Sequence, residues 1–97
     1  MGGKMTKDIR GTQEVLADQF RLTADLCVLT GEYHRLLQRV AAAGFARQMA
    51  EDGPEPQLIE AERTEIAAKL AAESCEVKIQ DLEHRLSALG QELAALK

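Results

Sequence analysis

The side chains able to do chemistry are few and widely spaced. Asp81 and His84 stand three residues apart, a spacing that puts a carboxylate and an imidazole on one face of a helix, as in metal-binding helices. Glu62 and Glu65 repeat that spacing, and Glu32 offers a third carboxylate. Inward carboxylates on bundled helices can hold iron, so a carboxylate-bundle iron protein is one alternative reading. Such bundles add Glu-x-x-His pairs, which this chain lacks. Cys27 and Cys75 have no second cysteine at metal spacing and no histidine three or four residues away on their own helix. Neither a zinc site nor a thiol–imidazole dyad can be written from them. Phosphate-cradling glycine loops and nucleophile elbows are also missing. The expectation is a protein that is not an enzyme and carries no metal or cofactor.

The elements that would position these groups are helices. Leu, Ala, Glu, Gln and Arg dominate, while Phe20, Tyr33 and Phe45 are the whole aromatic content. Good helix formers with few β-branched residues point to an all-α fold. From Cys75 to Lys97 the apolar residues are Cys75, Ile79, Leu82, Leu86, Leu89, Leu93 and Leu96. Steps of four and three alternate, which is the heptad of a coiled-coil seam. The same steps link Val15, Gln19, Leu22, Leu26, Leu29, Tyr33, Leu36, Val40 and Ala43. Leu16, Phe20, Cys27, Leu37 and Ala41 widen that stripe, as a helix with two neighbours requires. Gln19, polar within the seam, is a candidate for fixing register.

Helix one is expected over 12–52, with Thr12 as its N-cap and Glu14 in its first turn. Gly31 and Gly44 lie inside it as marks of close packing or of local weakness. Asp52-Gly53 should end the helix, with Gly53 in the left-handed conformation and Pro54 barring continuation. The turn is placed at 53–56 and helix two at 57–96, with Pro56 suited to its first turn. In the first half of helix two, Ile59, Ile66, Leu70, Ser74 and Val77 read as the stripe. They are out of phase with the seam that starts at Cys75, so a stutter is expected near 77–79. Two helices of about 40 residues, roughly 60 Å each, joined by a short turn read as an antiparallel hairpin. Two hairpins would pair as a dimeric four-helix bundle. A parallel zipper through 75–97 stays open as the competing dimer.

The turn is acidic, with Glu51, Asp52 and Glu55 at the tip. A coiled-coil hairpin with an acidic tip is similar to the N-terminal arm of the Gre transcript-cleavage factors. The segment Cys75-Glu76-Val77-Lys78-Ile79-Gln80-Asp81-Leu82-Glu83 looks like the second helix of that arm. This resemblance covers about a tenth of the chain. It implies a regulator that inserts its tip into RNA polymerase, which is the second alternative. The family's Asp-Leu and Glu-Asn-Ala-Glu-Tyr tip pattern is absent, so no functional residue carries over.

The formal net charge of −4 argues against a nucleic-acid surface, which needs clustered cations. Lys4, Lys7 and Arg10 fall in a lead, residues 1–11, read as flexible. The sequence has no apolar run long enough for a transmembrane helix and no apolar signal core near its start. With two reduced thiols, the expected location is the cytoplasm. The function expected is helix–helix recognition: an adaptor, small chaperone-like partner or regulator. Its surface would be the seam of Leu22, Leu26, Leu29, Tyr33, Leu36, Val40, Ile79, Leu82, Leu86, Leu89 and Leu93. Its partners would be a second copy and a protein offering a helix or an apolar groove.

Overall fold

A computed structural model describes residues 11–96; the lead at 1–10 lies outside them. Two helices account for nearly all described residues: α1, Thr12–Ala50, and α2, Glu55–Ala95. No strand occurs among the described residues, and no helix there is long and apolar enough to cross a membrane. The protein is an all-α helical hairpin.

The helix ends follow from backbone hydrogen bonding. Gly11, not Thr12, caps α1, because its carbonyl accepts from Glu14 N and Val15 N at 3.1 and 3.2 Å. Glycine is an acceptable N-cap because it adopts the non-helical entry at little cost. At the other end α1 stops at Ala50, two residues early. Glu51 N donates to Gln48 O and Gly53 N donates to Ala50 O, both tight i→i−3 bonds. Gly53 does not take up a positive φ, so the expected left-handed cap is replaced by these tight turns. Helix α2 begins at Glu55, with the Pro54 carbonyl accepting from Leu58 N at 3.2 Å. Residues 54–57 have no i→i−4 partner at this end, and Gln57 N donates instead to Pro54 O at 3.1 Å. Two of those residues are prolines, which have no N–H to satisfy.

Two compact units divide the hairpin. One is Leu29–Ile79, and the other joins the remainder of α1, up to Val28, with the remainder of α2, from Gln80. Within Leu29–Ile79 the chain runs antiparallel. Cys75 Sγ donates to Leu29 O at 3.5 Å near one end, and Arg47 Nε donates to Glu65 Oε1 at 2.7 Å nearer the turn. As the α1 number rises the α2 number falls. The α1 residues turned inward are Leu29, Tyr33, Leu36, Val40, Ala43, Arg47 and Ala50, all half-buried or buried.

The facing residues of α2 are Leu58, Ala61, Glu65, Ala68, Ala72, Cys75 and Ile79. Their spacing is the same three-and-four alternation, continued upstream from Cys75 without a break. The expected stutter is therefore absent. Ile59, Ile66, Leu70 and Val77 are exposed, as is Ser74. Alanines line the inner face instead, because two helices that meet on small side chains can approach closely.

The unit that holds the ends of the chain is built differently. Val15 is wholly buried and Leu89 nearly so. Gln19, Leu22 and Leu26 are half-buried on α1, with Leu82, Leu86 and Leu93 on α2 and Leu96 just past its end. Branched aliphatic side chains fill this seam. Leu16, Phe20 and Cys27, which widen the stripe in the sequence, are exposed, since a single facing helix covers only one stripe.

Two measurements check this packing. A Cβ added at Gly31 meets only the far end of Arg35, whereas one at Gly44 lies 3.0 Å from Glu65 Oε2. Gly31→Ala is expected to stabilise by roughly 0.5–1 kcal/mol in urea melts, and Gly44→Ala by less. Equal gains would mean that the Glu65 carboxylate moves aside freely. Cys75 is buried and Cys27 exposed. In a Cys27→Ser chain, Cys75 should resist maleimide and form no covalent dimer on mild oxidation, while a Cys75→Ser chain labels rapidly. Efficient Cys75 crosslinking would place two α2 helices seam to seam and parallel.

Candidate interaction surfaces

The inner seam of Leu29–Ile79 contains a polar knot. Arg47 bonds Glu65 Oε1 through Nε and Glu51 Oε1 through Nη1, each at 2.7 Å. Lys69 Nζ lies 3.8 Å from Glu65 Oε2. The guanidinium is held protonated, its pKa raised first by the hydrogen bond to Glu65 and then by that carboxylate's charge. Glu65 is the more enclosed partner, its side chain 14% exposed against 30% for Arg47. The missing Cβ of Gly44 leaves room for its carboxylate. A polar pair within an apolar seam disfavours a shift of the helices, because a shift would break the Arg47–Glu65 contact. In the sequence Glu65 reads as a carboxylate beside Glu62 rather than as a seam residue, and Arg47 does not stand out.

Tyr33 occupies the seam, and its hydroxyl donates to Glu76 Oε2 across the hairpin at 3.0 Å. This matches the common arrangement of a ring packed inward with its hydroxyl at the edge. The tip residues Glu51, Asp52 and Glu55 are exposed, with Glu51 held by Arg47.

The remaining chemical candidates do not converge. Asp81 bonds Arg85 at 3.1 Å, and both His34 and His84 are exposed. No group of three or more His, Cys, Asp or Glu that could hold a metal is found among the described residues. The seam residues foreseen as a recognition surface face the other helix inside each unit. Leu22, Leu26, Leu29, Tyr33, Leu36, Val40, Ile79, Leu82, Leu86 and Leu93 are half-buried, and Leu89 is buried.

What remains uncovered lies on the outer faces. On α2, Ile59, Ile66, Leu70 and Val77 are 42, 58, 60 and 63% exposed. On α1, Leu37, Phe45 and Met49 are exposed. A shallow groove along another side of Leu29–Ile79 is lined largely by Ala42, Ala43, Ala46, Ala67, Ala68 and Ala71. Isolated exposed apolar residues are ordinary on a protein surface, but these four are spaced to lie along one face of α2. No family model, curated protein or solved structure matches the chain.

The Tyr33–Glu76 bond predicts an alkaline titration. The Tyr33 pKa is raised above the ordinary 10.0, first by the hydrogen bond to Glu76, then by burial and by the charges of Glu76 and Cys75. The neutral phenol donates; a phenolate would lose that bond and face a carboxylate. The folded-state pKa lies above the unfolded one, so this stabilisation is whole below about pH 10 and is lost as pH rises through the raised value. Tyr33 is the sole tyrosine and Trp is absent, so phenolate absorbance reports it directly. Glu76→Gln is expected to move the midpoint back toward the ordinary value. An unchanged midpoint would mean that the bond does not form in solution.

Proposed function

We propose that the protein is a non-enzymatic helical-hairpin interaction module, an adaptor or regulator that binds other helices and pairs with a second copy of itself. The cytoplasm, where both thiols stay reduced, suits it. The observation that carries this reading is the row Ile59, Ile66, Leu70 and Val77, which the hairpin leaves uncovered. Each such side chain contributes on the order of 1.5–3 kcal/mol when moved from water into an apolar contact. Four in one row can offset the entropy lost on association. A partner helix laid along α2 would meet them as successive anchors of a helix-in-groove contact.

Photo-crosslinking in the native host tests the reading. A photoreactive residue replacing Leu70 or Phe45 should give defined protein adducts, and one replacing the exposed Gln38 should give few. Adducts no more abundant at Leu70 and Phe45 than at Gln38 would remove the basis for an interaction module.

A further inference from the structure

The outer row of α2 carries two charges as well as its four apolar residues. In chain order it reads Ile59, Arg63, Ile66, Leu70, Glu73 and Val77, and all six are exposed. The steps are four, three, four, three and four, so the row has the same spacing from either end. Its chemistry is also matched about the midpoint. Ile59 mirrors Val77, Ile66 mirrors Leu70, and the cation Arg63 mirrors the anion Glu73. Neither Arg63 nor Glu73 has an ion-pair partner among the described residues. The same face continues beyond Val77 as Gln80, His84, Ser87 and Gln91. The apolar segment is therefore bounded, spanning about 27 Å at 1.5 Å per residue.

We propose that this row is the homodimer interface, with two α2 helices antiparallel about a two-fold axis level with Ala68. A two-fold contact uses the same patch on both copies, so the patch must complement itself. Antiparallel pairing about Ala68 meets that condition. Ile59 packs on Val77 of the second copy, Ile66 on Leu70, and Arg63 faces Glu73, each contact occurring twice. Parallel in-register pairing would instead set Arg63 against Arg63 and Glu73 against Glu73. The charges thus select the direction, and the apolar residues supply the attraction. Ala67, on one flank near the axis, has a side chain small enough for close approach. On the other flank Glu62 comes near Glu76 of the second copy, and the two Lys69 side chains approach each other. These rim contacts are unfavourable but screened by solvent.

This inference rests on the self-association included in the proposed function and fixes its surface and direction. Sedimentation across a concentration series, with far-UV circular dichroism as the folding control, tests it on the full chain. Wild type should form a dimer at micromolar concentration. Arg63→Glu or Glu73→Arg alone should weaken it by on the order of tenfold, because each sets two like-charge pairs in place of two attractive ones. The double exchange, or an equimolar mixture of the two single variants, should restore it. Leu70→Asp should abolish it with helicity intact. A dimer indifferent to all three single substitutions would overturn this interface while leaving self-association standing. A chain monomeric at several hundred micromolar would overturn the dimer itself. The wider reading would then stand or fall on the crosslinking of another protein.

Discussion

A helix can hide only as much of its surface as its neighbours cover. With a single neighbour, one stripe at three-and-four spacing is covered and every other face meets water. That constraint governs this protein. Within each unit, α1 and α2 present one such stripe to each other. Apolar residues off that stripe, such as Phe20, Phe45 and Leu70, have nothing in the hairpin to pack against. The seam sets the fold, and the uncovered residues motivate the functional reading.

The seam differs between the two units, and the difference has physical consequences. Val15, Leu22, Leu26, Leu82, Leu86 and Leu89 give the unit at the chain ends a core of branched side chains. Nearer the turn, Ala43, Ala61, Ala68 and Ala72 bury much less apolar area per residue. Polar contacts tie this unit together: Arg47 with Glu65 and Glu51, Tyr33 with Glu76, and Cys75 with the Leu29 carbonyl. An alanine seam alone specifies register weakly, because a slip exchanges one methyl group for another. The half-buried carboxylate of Glu65, seated where Gly44 has no side chain and bonded to Arg47, disfavours a slip.

Much of this architecture is legible in the sequence. The α1 seam can be read from leucine spacing, and Gly53-Pro54-Glu55-Pro56 locates the turn within two residues. The face of α2 near the turn is harder to read. Ile59, Ile66, Leu70 and Val77 are, apart from Leu58, the largest apolar residues there, and ranking by hydrophobicity makes them the seam. Beyond Leu58 the inner face is Ala61, Glu65, Ala68 and Ala72, which a ranking by size passes over. Counting back from Cys75 in alternating steps of three and four does find it. The register of the strong half thus predicts the weak half better than the local composition does. The pairing of Arg47 with Glu65 depends on how far apart the helix axes lie, which spacing along one chain does not encode.

The alanine seam and the exposed α2 row occupy the same stretch of chain, and the coincidence has a consequence. Between Leu58 and Val77 the inner face is mostly alanine, while Ile59, Ile66, Leu70 and Val77 face outward. The segment with least to gain from hairpin closure is therefore the one with most to gain from a further helix. If the outer row is covered by a second copy, folding of the turn half and association are linked. Binding that requires the folded hairpin stabilises it by mass action, more strongly as concentration rises. The charges Arg63 and Glu73 then act twice over. They choose the direction of pairing, and by breaking up the row they limit the uninterrupted apolar surface that a free chain exposes to other proteins.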